Sequence, residues 1–362
     1  MKSPPFCPNA NCSNHLSPPQ SRWFWKAGHY SSKVSGKVQR FLCLNCSHRF
    51  STQSFSIDYY VKRTIDYHLI DTQLRSTGSI RDISRDLSVS TATVINRISR
   101  LAHNALAAHA ALCGITGHQE EFVADGFESY CVSQYFPNNI TLLAGKQSQY
   151  LYFANYCTLR RKGRMTDEQK HRRVQLERRW RADSQAVRKA FDEVVHHIRC
   201  RCDAAVLYTD EKSEYVRSLR ASKAGTSISH VRIRSTLPRT VGNHLFSVNY
   251  LDRELRKDCS NHVRETVCFS RNVNNCMERF WVYFVYHNYR KRYRIGRGER
   301  RTHGEVAGLD RRLIRSTLKG YYTRRSFMSK LQLTGSMRLL WLRKLETPLT
   351  GIPNYVPKYL AA

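Results

Sequence analysis

Four cysteines in two close pairs, Cys7-x4-Cys12 and Cys43-x2-Cys46, constrain the start of the chain more than any other feature. Short loops between paired thiols make the sulfurs converge, and four converging thiolates suit a tetrahedral Zn2+. Trp23, Trp25, Tyr30 and Phe41 lie between the pairs, with Gly28 and Gly36 at turn positions. A β-ribbon holding two metal knuckles together has this make-up. Residues 1–55 are therefore expected to form a zinc ribbon on Cys7, Cys12, Cys43 and Cys46, leaving His15, His29 and His48 to solvent or phosphate. The other eight cysteines are scattered, many beside apolar residues, and the N-terminus carries no apolar signal stretch. A reducing, cytoplasmic setting is expected, with those thiols as small core residues.

Charge indicates the partner. Lys and Arg number 60 against 28 Asp and Glu, a net charge of +32. Such a surface repels itself unless an anion neutralises it. No apolar run approaches the roughly 18 residues of a membrane helix, and no basic amphipathic helix has a clean apolar face. Nucleic acid, rather than a membrane, is the expected partner, in a nucleoid-associated protein. The 362 residues, 41% of them apolar, allow two or three domains and a sizeable core.

Residues 57–76 place Ile57, Val61, Ile65, Leu69 and Leu74 near helical spacing, which predicts a helix. A break at Thr77-Gly78-Ser79 precedes IRDISRDL, with Ile80, Ile83 and Leu87 on one face. Ser88-Val89-Ser90 makes a tight turn, and Ser90 caps TATVINRISRLAHNAL. Helix, short turn and second helix give a helix-turn-helix over residues 56–112. Thr91, Thr93, Asn96, Arg97 and Arg100 of the second helix are expected to face base edges and phosphates in a major groove of double-stranded DNA.

From residue 118 to 290 the texture is mixed. EEFVAD reads as a strand ending in Asp125, ESYCVSQY as a returning strand, and YLYFANYC (150–157) as a third. Residues 159–183 read as a basic helical insertion, and 184–202 as an amphipathic helix. AAVLYTD (204–210) is a buried-type strand ending in Asp210, followed by a short helix, a fifth strand SHVRIR (229–234) and a helix from about residue 245. By analogy of fold, three strands, helix, strand, helix, strand, helix is the order of a ribonuclease-H-like sheet, in which the first and fourth strands are neighbours and their acids meet. Carboxylates so placed suit Mg2+ or Mn2+, and two such ions can drive phosphodiester exchange. The chain is thus expected to be a multidomain α+β protein: zinc ribbon, helix-turn-helix, a ribonuclease-H-like mixed α/β catalytic domain, and a basic C-terminal extension over residues 291–362 that tracks a DNA backbone.

The order of motifs resembles a known family. CPNANC…WFWKAGHYSSKVSGKVQRFLCLNCSHRFS is similar to the zinc ribbon of bacterial insertion-sequence transposases of the insertion-sequence-one kind. VADGFESY and LYTDEKSEY resemble that family's two aspartate motifs, and LDRELRKDCSNHVRETVCFSRNV its third segment. The resemblance spans roughly residues 7–290 and implies a DDE-type transposase with Asp125 and Asp210 as metal ligands. Its third position, a glutamate, falls here on Asn249. Asp252, one helical turn on, is expected to supply the carboxylate with Asn249 assisting. Glu278 on the next helix is the main rival, and Glu254 is a further acid that points elsewhere. Arg256, His262 and Arg264 lie near this site in the resemblance, where they would bind the scissile strand. A homodimer on paired element ends is implied. Two other readings compete: a catalytically inactive regulator or domesticated copy, and a ribonuclease-H-like nuclease or recombinase without mobility.

Overall fold

A computed structural model of the chain describes residues 3–221, 227–263, 265–294 and 298–354. It is mixed α/β, with one three-stranded and one five-stranded sheet.

The N-terminal part is a small antiparallel sheet. After α1 (Ser13–Leu16), strands β1 (Phe24–Ser32), β2 (Gly36–Cys43) and β3 (Arg49–Ser51) pair in sequence order. The β1–β2 register slips between Lys26 and His29, where Gly28 takes φ +75°, a bulge conformation that a side chain would strain. Trp23, Phe41, Phe50 and Phe55 pack with Cys7, Cys12 and Cys43 into a separate core, which also takes in Phe327 from far along the chain.

Three helices follow: α2 (Tyr67–Leu74), α3 (Ile80–Asp86) and α4 (Thr91–Cys113). The expected helix over 57–76 is cut to its second half. Residues 57–66 run as turns and irregular chain because the backbone at their start is committed to a distant partner: Ile57 N–H donates to Thr323 O at 3.0 Å, and Ser56 bridges Arg324. Asp66 then caps α2 through His68 N–H at 2.8 Å. Ser79 and Asp82 form a capping box at α3. Ser90 Oγ accepts the Thr93 N–H at the start of α4, as its place in the sequence implies.

The body comprises β4 (Phe122–Tyr130), β5 (Pro137–Gly145), β6 (Leu151–Thr158), α5 (Asp167–Glu177), α6 (Ala186–Arg199), β7 (Ala204–Thr209), α7 (Ser213–Ala221), β8 (Ser227–Arg232), α8 (Phe246–Asp258) and α9 (Val273–Tyr289). The sheet order is β6-β5-β4-β7-β8. β4, β5 and β6 are antiparallel neighbours, whereas β7 joins β4, and β8 joins β7, in parallel. The second strand differs from expectation. Gly126-Phe127 does not end the first strand, so ESY continues it and the return is made by PNNITLLAG. Gly126 stays in the strand because Asn139 of β5 fills the space where a Cβ would stand. Asp125 therefore sits inside a strand, while Asp210 directly follows one.

The C-terminal part folds back. α10 (His303–Val306), α11 (Arg311–Leu318) and α12 (Gly335–Trp341) replace the expected solvated track. Tyr321, Met337, Leu340 and Trp341 join one core that runs from Ile57 through Val94, Phe127 and Phe280. Asn104 of α4 ties this segment down, its amide donating to Tyr321 O at 2.7 Å and Arg324 O at 2.8 Å. Helices α2–α4, the five-stranded sheet and the tail share this core rather than forming separate ones. Among the described residues, no helix is long and apolar enough to cross a membrane.

Candidate active site and nucleic-acid interface

The four N-terminal cysteines meet. Cys7 Sγ lies 3.6 Å from Cys46 Sγ and Cys12 Sγ 3.8 Å from Cys43 Sγ, and all four sulfurs fall within 4.8 Å of one another. Tetrahedral zinc with thiolate bonds of roughly 2.3 Å sets its sulfurs about 3.8 Å apart. Burial works against the Cys43 thiolate, but the amides of Cys46 and Asn45 and the Asn14 side chain outweigh it, bringing the thiol down to about 7. This group could hold a structural metal such as zinc. His15, expected in solvent or against phosphate, is instead buried: its ring nitrogens meet Cys7 O at 2.7 Å and Ser329 Oγ at 2.8 Å.

The two aspartates of the body come from neighbouring parallel strands. Phe122 pairs with Leu207 and Val123 with Tyr208. Beyond these pairs the two strands run on toward Asp125 and Asp210, close enough for the Asp210 charge to act on Asp125. Asp125 Oδ1 accepts its neighbour's Gly126 N–H at 2.7 Å, and Asp210 Oδ1 accepts Lys212 N–H at 3.1 Å. Burial, and then the Asp210 charge, lift the Asp125 carboxyl to about 6.

Helix α8 packs on β4 and β5. Arg256 reaches β4, donating to Glu128 O at 3.0 Å with its guanidinium 4.8 Å over the Phe127 ring. Asp252 lies four residues before Arg256 on the same helix, roughly one turn back along the side that reaches β4. Asp252 accordingly feels Asp125: burial, and then that charge, raise it to about 8, against the opposing pull of Arg256 and Arg239. Asn249, a further turn back on this face, leaves its buried Nδ2 without a hydrogen-bond partner. The three carboxylates are not drawn within 4.8 Å of one another as the four sulfurs are.

The rival acids are occupied elsewhere. Glu254 forms ion pairs with Lys257 at 3.0 Å and with Lys291. Glu278 is buried against Arg343, whose Nη1 donates to both of its oxygens at 2.5 Å. Three residues expected to touch DNA are structural instead. Arg97 and Arg100 are only 5% and 7% exposed. Their guanidinia donate to Arg63 O at 2.9 Å and Ile57 O at 2.6 Å, and both bind Asn96 Oδ1. They hold the turn before α2 onto α4 rather than face a groove. His262 is 1% exposed, with its ring nitrogens against Ser129 Oγ at 3.2 Å and Asn261 Nδ2 at 3.0 Å. Burial lowers it to about 3, so it carries no charge for a phosphate. Thr91 is exposed, Thr93 and Asn96 are half-buried, and Arg264 lies outside the described residues.

Other groups reach the site without having been singled out. Lys212 and Arg239 both act on Asp125, and the buried Tyr215 of α7 feels both aspartates. Lys212 and Tyr215 belong to the motif LYTDEKSEY that flags Asp210, so the signal was present there; Arg239 sits in a loop with no periodicity to mark it. A separate groove of about 900 Å3 runs between the ribbon and residues 58–61, with Tyr30, Arg40, His48, Tyr59, Tyr60 and Arg325 on its walls. Its cations lie over its rings, Arg40 at 4.9 Å from Tyr30 and Arg325 at 4.4 Å from Tyr59.

No protein-family model matches the chain, and no curated protein matches it in sequence.

Proposed function

We propose that this chain is a DDE-type transposase: it binds the ends of a mobile DNA element and exchanges phosphodiester bonds at a site built from Asp125, Asp210 and Asp252. The observation that carries this reading is that the three carboxyls act on one another: beyond the β4–β7 pairing the Asp210 charge raises Asp125, and the Asp125 charge raises Asp252 on α8. Two antiparallel neighbours on one side of β4 and two parallel strands on the other is the order of a ribonuclease-H-like sheet, which supports the same reading.

The donors suit hard divalent cations: all are carboxylate oxygens, and two of the three carboxyls are raised in part by the charge of another. Two Mg2+ or Mn2+ ions held there would supply the charge that activates an attacking hydroxyl and steadies a leaving oxygen. Lys212, Arg239 and Arg256 surround the acids with positive charge and draw a phosphate backbone toward them. Thr91 and the ribbon groove offer contacts to double-stranded DNA, and exposed rings such as Tyr60 provide stacking surfaces.

The test is strand transfer by the full-length chain on duplexes carrying the element ends, with Mg2+ or Mn2+. Wild type is expected to cut and join. Asp210→Ala is expected to bind the ends as tightly and cut nothing. Asn249, standing where the related motif has glutamate, favours a second reading, a DNA-binding regulator without catalysis. That reading wins if wild type binds the ends but never cuts them, and Asp125→Ala binds equally well.

A further inference from the structure

Apart from the ribbon, one group of described residues brings three metal-binding atoms within 4.8 Å of one another: Cys113, His118 and His197, all buried. They come from separate parts of the chain. Cys113 ends α4, His118 lies in the connection to β4, and His197 is on α6. We propose that this cluster is a second zinc site, with Cys113 Sγ, His118 Nε2 and a ring nitrogen of His197 as ligands, and that it locks the C-terminal end of α4 to α6 beneath the sheet.

The His118 ring is already set for that role. Its Nδ1 lies 2.7 Å from Thr116 O, which can only accept, so Nδ1 carries the proton. Nε2 then presents its lone pair on the side of Cys113 Sγ, 4.0 Å away. A zinc-bound histidine is commonly oriented by just such a bond from its other nitrogen to a carbonyl.

His197 supplies the independent observation. It is 3% exposed, yet neither ring nitrogen has a hydrogen-bond partner. Buried polar atoms are nearly always partnered, and an orphan of this kind needs an explanation. One of its nitrogens lies within 4.8 Å of the ligand atoms of Cys113 and His118, and its ring stands 5.9 Å from that of His118 and 5.0 Å from Phe153. A metal on one nitrogen removes part of that cost.

The ligand chemistry selects the ion. One thiolate and two imidazoles suit Zn2+ and not Mg2+ or Ca2+. A further thiol stands beside the cluster, Cys202, whose Sγ is 3.9 Å from His118 O. Binding involves no redox change. The Cys113 thiol, which now donates to Tyr152 O at 3.4 Å, gives up its proton to solvent as the sulfur bonds the metal.

The experiment is a zinc count on the full-length chain purified without chelator, followed by Co2+ substitution. Wild type is expected to hold two zinc ions per chain. His197→Gln and Cys43→Ser are each expected to lose one, and a different one. Co2+ in Cys43→Ser is expected to give a weak sulfur charge-transfer band and blue-shifted d–d bands, as one sulfur among nitrogens requires. A wild type whose zinc is fully accounted for by Cys43, or a His197→Gln chain that keeps its full complement, overturns the proposal. Should His197→Gln fail to fold, the wild-type Co2+ spectrum decides: a pure four-sulfur spectrum overturns it equally. A ribbon that binds no metal lowers the wild-type and His197→Gln counts by one and leaves that of Cys43→Ser unchanged, so the His197 dependence is intact and the two assignments fail separately.

Discussion

Burial and the Asp125 charge raise Asp252 to about 8, so its carboxyl is mostly protonated at neutral pH when no cation is added. A free aspartate titrates near 3.9. The protonated form thus contributes stability that is complete at low pH, and it is lost as the pH climbs from about 4 towards 8. Asp252→Asn, which cannot ionise, is expected to melt several degrees above wild type at pH 8 without added Mg2+ and at the same temperature near pH 4. Scanning calorimetry at the two pH values checks this, and equal melting at both pH values would mean an ordinary solvated carboxyl. Mg2+ is expected to raise the wild-type melting temperature at pH 8 and to do little for the variant. At this scale the sequence was informative about the strand positions of Asp125 and Asp210, because each sits in a short motif of strand-type residues. It was less informative about His262, Arg97 and Arg100. Residue type alone does not distinguish a cation facing DNA from one whose donors are spent on carbonyls inside the fold.

Elements were legible wherever a local signal sufficed. The Ser90 cap set the start of α4, the break at Thr77-Gly78-Ser79 marked the start of α3, and the apolar run before Asp210 set β7. They were misread where a distant partner decided. The apolar spacing of residues 57–66 looks helical, yet the backbone of Ile57 is committed to Thr323. Gly126 reads as a break until Asn139 is seen filling its missing side chain. The same logic governs α4. Arg97 and Arg100 join it to the segment before α2, so their loss is a stability effect first. Arg97→Ala strands the Arg63 carbonyl and is expected to cost about 1–3 kcal/mol in denaturant unfolding. DNA affinity measured well below the melting temperature is expected to change little. A large drop in affinity at unchanged stability would return Arg97 to the groove.

At the scale of the whole molecule, the described residues form two cores, and the tail contributes to both. Trp341 is 1% exposed and stacks on His103 of α4 at 4.3 Å, while Phe327 completes the aromatic core of the ribbon. Trp341→Ala is expected to cost about 3–5 kcal/mol, read as a lower unfolding midpoint for the entire chain rather than as weaker DNA binding alone. Composition could not show this, because a segment so rich in Arg, Lys and Tyr looks the same whether it wraps a polyanion or closes a fold. The position of Phe327 also has a timing consequence. A ribosome makes roughly 5–20 residues per second, so about a quarter to a whole minute separates synthesis of Phe55 from that of its packing partner. Until then the aromatic core of the earlier-made module lacks one of its walls, and a much later stretch of polypeptide is what closes it.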